Sequence, residues 1–315
     1  MTHARPNRAV TGGIRTRYIL AAVTTLCMFQ FTSMSSLAAQ LDAEVISTAA
    51  ATKATVTDDG VVRIGWSRTD VPVTVDRTSF PPAAGLGSWA AFMPARDHAM
   101  VMGDTVVFED EVDAAMDAAF AHGLEVTALH NHFFYDTPKV YFMHIGGSGE
   151  PQELATGVRA VWDAIKSVRA KREQPATGFG GEAVTPGTIN AQALARIIGH
   201  PAPVSDGVPK VTIGREGALH GVSIGASVGL TTWAAFTGSD ALAAMDGDFI
   251  MTAQEVQPVL RALRKADVHI VALHQHMVGE QPTFYFMHFW GKGPTADLAR
   301  SFRTALDAQA AVQRR

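Results

Sequence analysis

Two sets of three histidines stand at the same spacing in the two halves of this 315-residue chain. Each set is a His-x-His pair followed twelve residues later by a third histidine. The sets are His130, His132 and His144 in the first half and His274, His276 and His288 in the second. Residues two apart on a strand point to one face, and a paired strand adds its own residues to that face. Three neutral imidazoles on one face predict a site for a divalent metal ion (Zn, Mn, Fe or Cu), with coordination positions left for water or substrate.

One acidic residue accompanies each set, four positions beyond the second histidine. Asp136 and Glu280 occupy these equivalent positions, so both halves read His-x-His-x3-acid. A carboxylate placed there can be a fourth metal ligand or a general base. We therefore predict Asp136 and Glu280 as catalytic residues of a hydrolytic or redox centre. In the hydrolytic version the nucleophile is a metal-bound water whose pKa is lowered to about 7.

The same histidines can also have roles that do not involve a metal ion. Imidazoles on strands can hydrogen-bond to the backbone or to one another, or hold a polar ligand directly, and a duplication can retain them for packing alone. Two further duplicated acids, Asp104 after Gly103 and Asp248 after Gly247, are interpreted as turn residues. Asp bonds its own backbone in turns, and Gly permits a positive φ there.

The elements that position the histidines belong to an internal repeat. An offset of 144 residues aligns residues 89–164 with residues 233–308 without a gap, and about 26 of the 76 pairs are identical. Similarity at a fixed period indicates a repeated structural unit. A residue that is identical in both copies has been kept at two places in one molecule. All three histidines of each set are kept in this way, which favours a role for them.

Hydrophobic periodicity and turn signals predict the same elements in each copy: a helix, a few strands, an amphipathic helix, a two-strand hairpin that carries the histidines, and a closing helix. The predicted fold class is α+β, a tandem duplication of an antiparallel-sheet module with pseudo-twofold symmetry. The first module is expected over residues 40–170, a linker over 171–188 and the second module over 189–315. In the hairpin, residue 144 is expected opposite residue 130, and a shift by two would still leave the three imidazoles neighbours.

The first 39 residues have the pattern of a targeting segment. Arg5, Arg8, Arg15 and Arg17 form a basic leader without an acid, and residues 19–31 are an apolar run followed by small residues. This predicts a signal peptide over residues 1–39 and an exported protein, periplasmic or secreted, with no stable membrane span after cleavage. An uncleaved anchor is the alternative. Cys27 is the single cysteine and lies in the apolar run, so the mature chain would have neither a disulfide nor a thiolate metal site.

The charge balance excludes two classes of partner. The chain has 26 basic and 30 acidic residues and a formal net charge of −4, and loss of the four leader arginines makes the remainder more acidic. Binding to nucleic acid or to anionic lipid depends on clustered Lys and Arg. We therefore expect neither as a partner.

Several runs of residues resemble the LppY/LpqO-type family of exported bacterial proteins. The resemblance covers about residues 41 to 311 and includes an Arg-x-Asp element at Arg68-Thr69-Asp70. The other matching runs are Val101-Met102-Gly103-Asp104, residues 126–132, Gly247-Asp248-Phe249 and residues 286–291. Arg215-Glu216-Gly217 fits the Arg-x-Asp element more loosely, and Gln275 stands where the family more often has Asn. The resemblance implies export, duplication and importance of the histidine motifs, and it implies no particular reaction.

The leading functional prediction is an exported protein with two three-histidine sites that bind a divalent metal, as a hydrolytic or redox metalloenzyme. The alternative is a non-catalytic envelope protein that binds a small polar or cell-wall ligand in a pseudo-symmetric cleft. The sequence leaves open whether the histidine sets form one site or two, and which oligomeric state the chain adopts.

Overall fold

Both repeats fold into the same succession of elements. The structure, a computed structural model, describes residues 40–314, so the predicted signal peptide and Cys27 lie outside the described residues. The first repeat consists of α1 (Ala43–Ala50), β1 (Thr55–Val56), β2 (Val62–Ser67), β3 (Val73–Val75), β4 (Thr78–Phe80), β5 (Gly87–Ala95), β6 (His98–Phe108), α2 (Val112–Ala121), β7 (Glu125–His130), β8 (Asp136–Thr137), β9 (Val140–Gly149) and α3 (Pro151–Lys171). The second consists of α4 (Ala191–Ile198), β10 (Val204–Ser205), β11 (Val208–Gly214), β12 (Gly217–Leu219), β13 (Val222–Ile224), β14 (Thr231–Gly238), β15 (Ala243–Met251), α5 (Ala253–Lys265), β16 (His269–His274), β17 (Glu280–Gln281), β18 (Tyr285–Gly293) and α6 (Thr295–Gln313).

Twelve of these strands form one antiparallel sheet that runs through both repeats. Its order is β1-β2-β5-β6-β9-β7-β16-β18-β15-β14-β11-β10, in which the second half mirrors the first. The repeats meet at the centre, where β7 and β16 pair through Leu129 and Leu273. Two three-stranded sheets, β4-β3-β8 and β13-β12-β17, flank the large one. The predicted α+β fold with antiparallel pairing and a tandem repeat is confirmed.

The helices cover the sheet face opposite the histidines. Alternate strand residues such as Leu129, Met143 and Ile145 are fully or almost fully buried and belong to one apolar core with residues of the helices, including Trp162 and Phe302. Because side chains alternate across a strand, the neighbours of these core residues point to the other face. A single core extends through both repeats, and it fixes the strands that carry the histidines.

A buried ion pair joins the end of β2 to the start of α2. The Arg68 guanidinium, which is fully buried, donates to the carboxylate of Glu111 at 2.7 Å and to that of Asp70 at 2.9 Å. The Glu111 carboxylate also accepts the backbone N–H of Phe108 at 2.8 Å. The second repeat keeps a more exposed version, in which Arg215 donates to both carboxylate oxygens of Glu255, through Nη1 at 2.5 Å and through Nη2 at 3.0 Å. The Arg-x-Asp element is therefore a structural clamp beneath the sheet.

Helix α5 of the second repeat binds the first repeat through three polar side chains, Gln257, Arg261 and Arg264. Arg261 donates to the backbone carbonyls of Phe120 and Leu124, at 2.9 Å each. Arg264 donates to both carboxylate oxygens of Asp117, at 3.0 and 2.9 Å. These bonds lie across the repeat boundary and fix one repeat against the other.

Across residues 40–314, the helices are all too short or too polar to cross a membrane.

Candidate metal centre

His130 ends strand β7, His132 lies in the turn that follows it, and His144 lies on β9. The second repeat places its histidines in the same way, with His274 at the end of β16, His276 after it and His288 on β18. His144 lies opposite Ala128, and Phe142 lies opposite His130. The predicted pairing of residue 130 with residue 144 is therefore wrong by two positions. A β-bulge between Val126 and Ala128 accompanies this register, and the second repeat has the same irregularity between Ile270 and Ala272. His130 and His144 remain diagonal neighbours, and their Nε2 atoms lie 3.0 Å apart.

The second triad is the more convergent of the two. One ligand atom from each of His274, His276 and His288 lies within 4.8 Å of the other two. Among the described residues this is the group of His, Cys, Asp and Glu side chains that meets such a criterion. The ring centroids of His274 lie 5.1 Å from those of His276 and of His288. Three imidazoles at these separations can share one metal ion after small side-chain rotations, because Zn–N bonds of about 2.0 Å place ligand nitrogens about 3.3 Å apart.

Stacked phenylalanines fix one ring in each triad. The imidazole of His132 lies parallel to the ring of Phe142, with centroids 3.3 Å apart. In the second repeat His276 stacks on Phe286 at 3.5 Å. Each phenylalanine is almost fully buried, so it forms a rigid floor for the histidine above it.

An aspartate that we predicted to lie in a turn is next to the histidines in each repeat. Asp104 and Asp248 lie inside strands β6 and β15, directly opposite His144 and His288. The interpretation of both as turn residues is wrong. Asp248 Oδ2 lies 3.7 Å from Nε2 of His276, and Asp104 Oδ1 lies 3.9 Å from Nε2 of His144. The Oδ1 atom of each aspartate is buried and has no hydrogen-bond partner within residues 40–314.

Glycines precede both aspartates because the sheet is closely packed at these points. A Cβ atom at Gly247 would lie 2.1 Å from the ring of Phe289 and 2.4 Å from the carbonyl oxygen of Trp233. The Gly-Asp pair is therefore a strand feature, in which the glycine admits a neighbouring ring and the aspartate faces the histidines. The run of β-branched and aromatic residues after Asp104 (residues 105–108) was the available signal that the strand continues.

The surroundings favour uncharged groups at the second site. Burial raises the pKa of Asp248 above its ordinary value, although the nearby His288 and His274 act to lower it. Burial, followed by repulsion from His274 and His288, lowers the pKa of His276. The first site shows the same directions at Asp104 and His132. A neutral imidazole has a free lone pair, which is the form that binds a metal ion.

The two predicted catalytic acids bind the backbone instead. The carboxylate of Asp136, which is buried, accepts hydrogen bonds from the backbone N–H of Val140 at 2.7 Å and from Lys139 Nζ at 3.0 Å. Glu280, also buried, accepts the N–H of Phe284 at 2.9 Å. Each carboxylate thus holds the turn that leads into the third histidine's strand. The predicted role as ligand or base remains a prediction, and Glu280 is not part of the convergent group.

The repeat pattern agrees with a family model that matches the chain twice, over residues 44–164 and 192–308. Its description is Domain of Unknown Function (DUF1259). The chain belongs to this family. The two matches confirm the internal repeat of this DUF1259 protein. The resemblance to the LppY/LpqO-type family remains a prediction, and no curated protein matches the chain.

Several solved structures show a remote similarity to this DUF1259 protein. A fused permuted hexameric shell protein from the RMM microcompartment is 15% identical, with 70% of this chain and 89% of that chain covered and a TM-score of 0.18. The trimeric microcompartment shell protein PduB is 11% identical, with 82% and 91% covered and a TM-score of 0.21. EtuB from Clostridium kluyveri is 12% identical, with the same coverages and a TM-score of 0.20.

The predicted function and location are corrected on this finding. The matching structures are described as microcompartment shell proteins, which conflicts with an exported metalloenzyme and with a periplasmic or secreted location. Those predictions are withdrawn, together with the alternative of an envelope protein that binds a cell-wall ligand. TM-scores of 0.18 to 0.21 assign no shell role to this DUF1259 protein.

Proposed function

We propose that the second repeat binds one divalent transition-metal ion through His274, His276, His288 and Asp248, and that metal binding itself is the function of this site. No reaction is assigned to it. The observation that carries the proposal is the convergence of three imidazole ligand atoms within 4.8 Å of one another.

The aspartate supports the same proposal independently of the histidines. Asp248 is almost fully buried, and its Oδ1 atom has no hydrogen-bond partner among residues 40–314. A buried carboxylate oxygen without a partner costs about 1–3 kcal/mol or more. A metal ion shared with His276 and His288 would remove this cost. Three imidazoles and one carboxylate are a donor set suited to Zn, Mn, Fe or Cu.

The difference between the repeats supports one ion per chain. In the first repeat the Nε2 atoms of His130 and His144 lie 3.0 Å apart, but among the described residues the convergent group of three comes from the second repeat alone. In the second repeat the ring of His276 also approaches that of His288, with centroids 6.4 Å apart. The second site is therefore nearer to a coordinating arrangement than the first.

Metal titration of the untagged, chelator-treated protein tests the proposal. We expect Co²⁺ and Zn²⁺ each to bind with a stoichiometry of one in calorimetry, and the visible spectrum of the Co²⁺ form to report nitrogen and oxygen ligands. His274→Ala should abolish this binding. His122→Ala removes an exposed histidine outside both triads and serves as the matched control.

Two results would contradict the proposal. One is the absence of Zn²⁺ and Co²⁺ binding in a wild-type protein that is folded by circular dichroism. The other is equal binding by wild type and His274→Ala, because the ion would then sit elsewhere. Binding that is lost in His130→Ala and kept in His274→Ala would assign the ion to the first repeat and overturn the asymmetry.

A further inference from the structure

A cavity of about 730 Å³ opens beside the second repeat's sheet, where the start of α2, the linker after α3, and strands β16 and β18 meet. Three aromatic side chains line it: Tyr141, Phe179 and Trp290. The ring of Phe179 stacks on His269 with centroids 3.7 Å apart, and 54% of the residue remains exposed. The cavity therefore has an apolar, aromatic wall.

The linker wall of this cavity is fixed by hydrogen bonds. The backbone N–H of Ala176 donates to the carboxylate of Asp110 at 2.9 Å. Further along, Lys292 Nζ donates to the carbonyl oxygen of Gly180 at 2.6 Å. These bonds attach both ends of the segment that carries Phe179, so the cavity is a built feature of the fold.

The side chains that line the cavity carry more negative than positive charge, even when the carboxylates in ion pairs are left out. Of its four carboxylates, Asp110 is paired with Arg169, and Asp113 is paired with Arg264 and His269.

The remaining two, Glu109 and Asp246, have no salt-bridge or side-chain hydrogen-bond partner in the part of the chain that the structure describes. Arg172 is the cationic side chain among the lining residues, and Lys139 acts on Glu109 from outside the cavity.

The equivalent crevice of the other repeat lacks both properties. The offset of 144 residues places Ala253 where Glu109 stands, Met102 where Asp246 stands and Gly146 where Trp290 stands. Gln257 takes the place of Asp113, and its amide bonds both backbone groups of Val126, at 3.2 and 2.7 Å. In the equivalent crevice an amide bound to the backbone therefore stands where the cavity has the carboxylate of Asp113. The cavity is acidic and aromatic.

We infer that the open cavity binds an organic cation, an amine or quaternary ammonium on a compact apolar or aromatic body. Aromatic faces attract such cations through their quadrupoles, and two unpaired carboxylates supply the opposite charge. Trp290, Glu109 and Asp246 line this cavity, and the equivalent positions of the other crevice hold none of these three residue types. This difference favours a ligand site over a packing defect. His288 borders the cavity and belongs also to the proposed metal centre, but the inference does not rest on that centre.

Calorimetric titration of the full chain in excess chelator, which keeps the metal centre out of the measurement, tests the cation site. The probes are benzyltrimethylammonium, neutral benzyl alcohol and anionic benzenesulfonate. We expect the cation to bind with a stoichiometry of one and at least about fivefold more tightly than the alcohol, as cation–π and charge attraction predict. Asp246→Asn should weaken cation binding about threefold to fivefold, since Asp246 is exposed and its charge is partly screened.

Asp58→Asn is the matched control, because it removes one negative charge from an exposed residue outside the cavity lining. Trp290→Gly, which copies the other repeat, should remove binding, with thermal unfolding as the check that the variant is folded. The inference is overturned if the cation fails to bind to the folded wild type. It is also overturned if the alcohol or the sulfonate binds as tightly as the cation, or if Asp246→Asn and Asp58→Asn behave alike.

Discussion

The side-chain amide of Gln257 bonds the N–H and the C=O of Val126 at once, at 3.2 and 2.7 Å. Val126 is on β7 of the first repeat and Gln257 is on α5 of the second. Strands β7 and β16 pair only around Leu129 and Leu273, so the backbone of Val126 has no strand partner on that side. The amide takes the place of the missing strand.

Replacement of Gln257 by Ala should therefore destabilise the whole domain. The variant leaves two partly buried backbone groups without a protein partner, and we expect a loss of about 1–3 kcal/mol. Urea unfolding followed by circular dichroism measures it. Gln254→Ala, an exposed substitution on the same helix, should change the unfolding free energy by less than about 0.5 kcal/mol. Equal effects of the two variants would show that the amide contributes nothing specific.

Metal affinity should depend on Asp248 and not on its neighbour Asp246. The two lie on the same face of β15, but Asp248 is buried opposite His288 whereas Asp246 is exposed. We expect Asp248→Asn to weaken Zn²⁺ binding at least about tenfold, because loss of even a residue that only orients a metal ligand costs about 10- to 100-fold. Asp246→Asn should leave the dissociation constant unchanged. Competition with a coloured chelator gives both values, and an unaffected Asp248→Asn would remove the carboxylate from the proposed donor set.

The two arginine clamps should differ in their contribution to stability. Arg68 and Glu111 are both fully buried, and burial raises the pKa of Glu111 despite the attraction of Arg68. Arg68→Met leaves the buried Glu111 carboxylate with Arg169, whose Nε lies 2.7 Å away, as its remaining cation, and should cost about 3 kcal/mol. Arg215 is 22% exposed, so Arg215→Met should cost less. The double variant Arg68→Met/Glu111→Met should recover most of the loss in denaturant unfolding. If it does not, charge burial is not the cause.

The glycines before the two aspartates should tolerate Ala to different degrees. At Gly247 an added Cβ would meet Phe289 at 2.1 Å, whereas at Gly103 the nearest atoms lie 3.0 Å away, in Ile145 and in a backbone carbonyl. We expect Gly247→Ala to cost about 3 kcal/mol and Gly103→Ala about 1 kcal/mol, since overpacking scales with the displacement it forces. Thermal and urea unfolding of the pair measure the difference. The reverse order would mean that the ring of Phe289 moves aside freely.

Acid should weaken the fold partly through Glu255. Burial acts to raise its pKa, but hydrogen bonds from Arg215, from the backbone N–H of Thr252 and from Gln313 lower it below the ordinary 4.5. A carboxyl with a depressed folded-state pKa stabilises the fold above its unfolded pKa, and that stability is lost as pH falls through the folded value.

The unfolding free energies of wild type and Glu255→Gln should therefore differ at neutral pH and converge once the pH falls below about 4.5. A gap that stays constant down to pH about 3 would assign the effect of the variant to packing rather than to charge.

Much of the site could be predicted from the chain because strand periodicity and repetition are local signals. The His-x-His spacing places His130 and His132 on one face, and the repeat shows that the spacing was kept twice. Asp104 and Asp248 were missed because their contacts form across paired strands, and no spacing along the chain reports which residues lie side by side in a sheet. The registers depend on bulges near Val126 and Ile270, which alter the pairing without leaving a composition signal.

The cavity could not be predicted for a related reason. Its residues come from the start of α2, the linker and strands of the second repeat, and they meet only because the two halves form one sheet. Phe179 lies in a segment that reads as a linker, and nothing in its neighbours along the chain points to His269. The differences between the repeats at Glu109, Asp246 and Trp290 point to a ligand site only because the structure places all three in one cavity.

The shared centre of the sheet means that neither copy can be deleted without exposing the other. Gln257 and Arg261, which bind the inner edge of the first copy, are carried by the second, so we expect the first copy to be unstable when it is expressed alone. The side chains of one cavity can then change while the pairing of Leu129 with Leu273 keeps the two repeats in one sheet. Such a pairing allows a symmetric ancestor to acquire two unlike sites.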